Sequence, residues 1–199
     1  RVAWGTESLA LGRQPMASWH RDVAIGAGAQ AMGGAGTGNI AFGNDAFVNT
    51  LTGGNTNDAM AFGNQAEAMA DDAASFGHAA SASGTASLAV GNATQAMGTS
   101  SSAIGDGAQA AGEYASALGG SAYAGDDHAT AAGTSAFAMG VESTAVGSNS
   151  FAGAQGSTAL GAHALADATM ATAVGDGAMA MGDSSLALGD NSHAEGVKS

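Results

Sequence analysis

Ser185-Leu186-Ala187-Leu188-Gly189 and, seven residues upstream, Ala178-Met179-Ala180-Met181-Gly182 decide the fold of this chain. Small and large residues alternate in both, so an extended backbone sends Ser185, Ala187 and Gly189 to one side and Leu186 and Leu188 to the other. Working outward, the glycine closing the first pentapeptide recurs at Gly12, Gly26, Gly43, Gly63, Gly77, Gly91, Gly105, Gly119, Gly133, Gly147, Gly161 and Gly175. From Gly63 to Gly189 every step is 14 residues, and the steps of 17 (Gly26 to Gly43) and 20 (Gly43 to Gly63) read as insertions of three and six. A heptad half-period invites a coiled coil. That fails, because two glycines per unit would cost a helix about 2 kcal/mol and the seam would be Ala and Gly.

Strands fit instead. Small residues on one face of both strands of every unit let two sheets close with room for little more than a methyl group. The expectation is an all-β, two-sided parallel solenoid of 14-residue coils, a single unit over 1–199 with about 13 coils. Between strands stand Gly43-Asn44, Gly63-Asn64, Gly105-Asp106 and Gly175-Asp176, residues that tolerate the positive φ of tight bends. Arg1-Val2-Ala3-Trp4-Gly5 aligns with the second strand of a coil and Val197-Lys198-Ser199 enters another, so a fragment cut in mid-coil at both ends is expected.

The repeat changes what composition means. With 51 Ala, 33 Gly and only 26 Leu, Ile, Val and Phe in 199 residues, the chain would otherwise read as disordered. Seventeen acidic residues against Arg1, Arg13, Arg21 and Lys198 give a net charge of −13, which argues against a nucleic-acid partner. There is no cysteine for a disulfide or thiolate site, no apolar run long enough to span a membrane, and no export signal within the sequence given.

An Ala-rich interior is a weak core, so a second apolar surface is expected. The residue before each repeat glycine supplies one: Leu11, Ile25, Phe42, Phe62, Phe76, Val90, Ile104, Leu118, Val146, Leu160, Val174 and Leu188, with Ala132 the exception. A ridge along a solenoid is expected to be an interface between subunits. Three residues before the glycine, a companion column runs Leu9, Val23, Ile40, Met60, Ala74, Leu88, then Ser102, Ser116, Thr130, Thr144, Thr158, Thr172, then Leu186. The six hydroxyls read either as a ladder able to hold water or an anion, or as β-branched residues suited to stacked strands. Four residues after the glycine, Gln30, Phe47, Glu67, Ser81, Gln95 and Gln109 give way to Tyr123, Phe137, Phe151, Leu165 and Met179. This second strip is a candidate ligand or inter-subunit surface.

The repeats Ser87-Leu88-Ala89-Val90-Gly91, Ser157-Thr158-Ala159-Leu160-Gly161 and Ser185-Leu186-Ala187-Leu188-Gly189, with Ser192-His193-Ala194-Glu195-Gly196, resemble the heads of trimeric autotransporter adhesins of the YadA-like type. The resemblance implies a left-handed parallel β-roll, a homotrimer, and a place on a Gram-negative cell surface, outer-membrane anchored through a segment not in this sequence. It also implies binding of host matrix or cell-surface proteins.

His20, His78, His128, His163 and His193 fall in different phases of the repeat, and the acids stand singly or in pairs at bends rather than in a calcium-roll pattern, so neither enzyme nor metal nor cofactor is expected. The insertions Gly33–Gly38 and 49–58 break the repeat, and Asn49, Thr50, Leu51, Thr52, Asn55, Asn57 and Asp58 form a candidate binding loop, with neutral drift at a permissive bend as the alternative. Adhesion is the leading expectation. An ice- or surface-binding solenoid and a purely structural spacer of a surface fibre are its rivals.

Overall fold

The computed structural model describes residues 2–32, 38–49 and 56–197, in two compact units, 1–100 and 101–199. Each unit is an all-β parallel solenoid, with no helix among its described residues. In the first unit, three-residue strands Leu9–Leu11, Val23–Ile25, Ile40–Phe42, Met60–Phe62, Ala74–Phe76 and Leu88–Val90 pair in parallel as one sheet, here called the ridge sheet. Two-residue strands from Val2–Ala3 to Gln95–Ala96 form the opposing sheet. The second unit repeats the plan, with a ridge sheet from Ser102–Ile104 to Leu186–Leu188 and an opposing sheet from Gln109–Ala110 to His193–Ala194.

The interior is the predicted layer of methyl groups. Ala24, Ala41 and Ala89 from one sheet, and Ala17, Ala31 and Ala82 from the other, are fully buried, as are Ala103, Ala145, Ala110 and Ala152 in the second unit. Strands alternate as expected: Ser185 and Ala187 are buried while Leu186 and Leu188 are exposed.

The repeat glycine is required twice over. Gly161 has φ +140°, and a Cβ there would drive into the carbonyl oxygen of Gly175 in the next coil. Asn44, Asp106 and Asp176, expected to help carry the positive φ, do not. The residue after each one does: Asp45, Gly107 and Gly177. The left-handed position extends to residues that ordinarily avoid it, Ala79 and Ala93 at one bend and Ala86, Tyr114 and Met170 at the other. Its compensation is visible. The N–H of Ala79 donates to the Asn64 carbonyl at 2.9 Å and that of Met170 to the Gln155 carbonyl at 2.9 Å, so the ladder between coils continues around both bends.

The insertions leave the register intact: Val23 pairs with Ile40 across 17 residues and Ile40 with Met60 across 20. In regular coils the residue entering the ridge strand donates its N–H to the carbonyl three residues back, as Ser87 does to Gly84 and Ser143 to Gly140, both at 3.1 Å. Asn39 and Ala59 follow the insertions, and there side chains inside the roll take over. The Asn39 N–H donates to Asp22 Oδ1 at 3.1 Å, and the Ala59 N–H to Asn39 Oδ1 at 3.3 Å, while Asn39 Nδ2 donates to the Thr56 carbonyl at 2.8 Å. Asp22 is fully buried, and that burial raises its carboxyl above the ordinary range, opposed by N–H donors from Trp19 and Asn39.

Candidate functional site

The residues predicted to carry function fall on two outward faces. In the first unit the ridge sheet turns Leu11, Phe42 and Phe76 to solvent, with Ile25, Phe62 and Val90 half-buried between them. In-register pairing stacks the rings, Phe42 on Phe62 at 5.4 Å and Phe62 on Phe76 at 5.5 Å. Beside them Val23, Ile40, Met60 and Leu88 are half-buried, so both columns of this face are apolar. In the second unit Ile104, Leu118, Val146, Leu160 and Leu188 are exposed and Val174 half-buried. Their companion column is the hydroxyl row, Ser102, Ser116, Thr130, Thr144, Thr158 and Thr172, in unbroken register and half-buried throughout. None of the 17 acidic residues lies in either column.

The opposing sheet differs too. In the first unit this column mixes Met16 and Phe47 with Gln30, Glu67, Ser81 and Gln95, whereas in the second Tyr123, Phe137, Phe151, Leu165 and Met179 follow one another in adjacent coils between Gln109 and His193. Tyr123 and Phe137 lie 6.0 Å apart, tilted by 38°. Two of the rings are backed by glycine. A Cβ on Gly125 would come within 2.6 Å of Tyr123 Cε1, and one on Gly153 within 2.5 Å of Phe151 Cε1. Each ring therefore sets an edge carbon against the glycine two residues on, and at Gly153 the Asp167 carboxylate stands beside the Phe151 ring.

Of the candidate loop, Asn49, Asn57 and Asp58 are described, while Thr50, Leu51, Thr52 and Asn55 lie outside the described residues, as do residues 33–37 of the first insertion. The Asn57 N–H donates to Asp71 Oδ1 at 2.9 Å, and that of Asn49 to the Ala68 carbonyl at 3.2 Å. Four histidines occupy separate bends and His193 lies on the last strand of the opposing sheet: His20 contacts Thr6, His78 lies 3.0 Å from Asn92 Oδ1, His163 3.5 Å from Asp176, His128 stacks on Tyr114, and His193 lies 3.3 Å from the Asn191 carbonyl. Beside His128, the Asp127 N–H donates to Asp126 Oδ1, and Asp127 Oδ1 accepts the Glu113 N–H, so these acids stitch the bend. Among the described residues no three His, Asp or Glu side chains form a group able to hold a metal ion.

Sequence reading missed two features. One is the internal Asp22–Asn39 pair, whose signal was a charged or amide residue at a phase otherwise held by Ser or Ala. The other is a shallow apolar cleft lined by Trp4, Met16, Trp19 and Met32, with Thr6 and His20 at its edge, which gathers both tryptophans of the chain.

No curated protein matches this chain. Residues 96–122, 110–136, 138–164, 152–178, 166–192 and 180–199 each match the family model of the YadA head domain repeat in two copies, together more than half of the sequence. Those windows cover the hydroxyl row and the aromatic strip, and the same glycine phase extends back through the first unit to Gly12. The chain belongs to the YadA head family.

Proposed function

We propose that this chain is the adhesive head of a trimeric autotransporter, three left-handed β-rolls meeting along their ridge sheets and displayed on the bacterial surface by an outer-membrane anchor. One observation carries the reading: in a chain with 17 acidic residues, the two outward columns of the ridge sheet hold no charge in any coil. Copies of a molecule with net charge −13 repel one another, and contact is favourable where the facing surfaces are uncharged and apolar. Acids crowd the bends instead, at Asp71, Asp72, Asp126, Asp127 and Asp183. The function is binding rather than catalysis, and the host partner is a matrix or cell-surface molecule held by many weak contacts in parallel.

Light scattering on the purified chain tests the assembly, with a mass of three chains expected; a monomer would overturn it. Adhesion is tested by coating surfaces with the trimer and counting attached host cells or captured matrix proteins, and no capture above a charge-matched control would remove the adhesive role. Half-exposed hydroxyls at strand spacing keep ice binding as a second reading, and ice-growth inhibition by the chain would favour it.

A further inference from the structure

Five of the nine methionines share one phase of the repeat, six residues after the glycine: Met32, Met69, Met97, Met139 and Met181. That position follows the opposing strand and points outward, because the residue before it faces in. Ala96, Ala138 and Ala180 are fully buried, whereas Met97, Met139 and Met181 are exposed. Met170, at a bend, is the most exposed of all at 63%. Met16, Met32, Met60, Met69 and Met179 are half-buried, and none of the nine lies inside the roll. We propose that the exposed four are oxidant-modification sites: hydroperoxides convert Met97, Met139, Met170 and Met181 to sulfoxides while the fold is retained.

The step is a two-electron oxygen transfer. The thioether sulfur attacks one oxygen of hydrogen peroxide, an S–O bond forms and the O–O bond breaks. The departing hydroxide takes the proton of the transferred hydroxyl and leaves as water, so sulfur is oxidised and the peroxide reduced. Cysteine, which would compete for the same oxidant, is absent from the chain. Retention of the fold follows from where the sulfurs stand. In a packed core a sulfoxide is disruptive because it puts a polar group where an apolar one was buried. Here the layer between the sheets holds no methionine. The backbone at these sites stays in the ladder through bonds that do not involve sulfur: the N–H of Met139 donates to the Ala152 carbonyl at 2.8 Å, that of Met181 to Ala194 at 2.9 Å and that of Met170 to Gln155 at 2.9 Å. Oxidation therefore changes polarity only outside the roll. Phe137 and Met139 point outward two residues apart, so a sulfoxide at Met139 puts a strong acceptor beside the apolar run of the second unit.

The test is hydrogen peroxide titration of the intact protein in its native assembly, followed by peptide mass mapping and melting curves. Met97, Met139, Met170 and Met181 are each expected to gain one oxygen at least about fivefold faster than the half-buried five. The melting temperature is expected to stay within about 2 °C of the untreated protein once those four are converted. Methionine sulfoxide reductases of both epimer classes are expected to reverse the gain. The quadruple variant Met97→Leu, Met139→Leu, Met170→Leu and Met181→Leu keeps size and apolarity, and is expected to lose the fast phase of peroxide consumption. Oxidation of all nine methionines at one rate, or a fast phase that survives in the quadruple variant, overturns the assignment of sites. So does protection of Met139 and Met181, which would place another chain over them. A melting temperature that falls in step with the first four oxidations overturns the retained fold. The sites are argued from the burial of a single chain, so a monomer in light scattering sinks the proposed assembly and leaves them standing.

Discussion

Val23, Ile40, Met60 and Leu88 in the first unit occupy the same column of the ridge sheet that Thr130, Thr144, Thr158 and Thr172 occupy in the second. On the opposing sheet the exchange runs the other way, from a mixed column of Met16, Gln30, Phe47, Glu67 and Gln95 to the apolar run Tyr123, Phe137 and Phe151. The backbone is unchanged across this exchange: strand lengths, register and the φ of the repeat glycine are shared, with Gly63 at +143° and Gly161 at +140°. The comparison teaches that the scaffold is specified by inward positions and bends alone. Outward columns are then free to be rewritten, and the two units have been rewritten in opposite senses.

The largest effect that bears on this separation is expected at the shared scaffold. Gly63→Ala and Gly161→Ala each place a Cβ against the next coil's carbonyl and strain φ, and each is expected to cost roughly 3 kcal/mol or more, read by chemical denaturation. The two are expected to be equally severe, and a tolerant site in either unit would break the claim of a common scaffold.

Next comes a device that only the first unit has. Asp22→Ala leaves the N–H groups of Trp19 and Asn39 without their acceptor, at a cost of about 2 kcal/mol. The pH dependence follows from the raised carboxyl of Asp22. Because the folded chain holds this proton more tightly than the unfolded one, the associated stability is complete below the ordinary carboxyl range and is lost as pH climbs through the raised value. Melting curves of wild type and Asp22→Asn are therefore expected to diverge in favour of the variant as pH rises from acid toward neutral. Parallel curves would mean that the buried carboxylate is not linked to folding.

The ridge itself distinguishes the units at a smaller scale. Phe62 stacks on two neighbours, and Phe62→Ser is expected to destabilise the assembled form by about 2 kcal/mol. Thr158→Val in the second unit is expected to stay within about 1 kcal/mol, because the row is already packed as β-branched side chains. A large loss at Thr158 would show that the hydroxyls themselves hold the copies together. Smallest of all is a pair of inner serines at one phase. The Ser157 hydroxyl donates to the Ala154 carbonyl at 2.6 Å, whereas that of Ser143 has no partner among the described residues. Ser157→Ala is expected to cost about 1 kcal/mol, and Ser143→Ala to be neutral or mildly stabilising, measured by differential scanning calorimetry.

Much of this was legible in the sequence because the fold is one-dimensional: each coil contacts its neighbours, so a phase assigned once at Gly189 assigns inward and outward positions down the ladder. Ala187 inside and Leu188 outside follow from that phase alone. What the phase did not disclose is how bends are satisfied. Nothing in the identities of Ala79, Ala86 or Met170 announces a left-handed backbone, since that conformation is held by hydrogen bonds to the preceding coil. Asp22 and Asn39 were equally hidden, because their partners lie 17 and 20 residues away, beyond insertions that interrupt the count. The outward columns were readable as composition, but composition does not reveal that Tyr123 and Phe151 each set a ring edge against the glycine two residues on.

The unbroken pairing of Val23 with Ile40 and of Ile40 with Met60 has a consequence for how such a molecule changes over time. A coil corner that re-enters its strand through a side-chain acceptor in the coil before it tolerates three or six extra residues with the same ladder afterward. Length can then vary at that corner without a frame error for the rest of the roll. That makes a cassette slot: segments can be inserted, lost or exchanged there while the strand ladder after them keeps its register, and an engineer could use the same slot to display a foreign peptide.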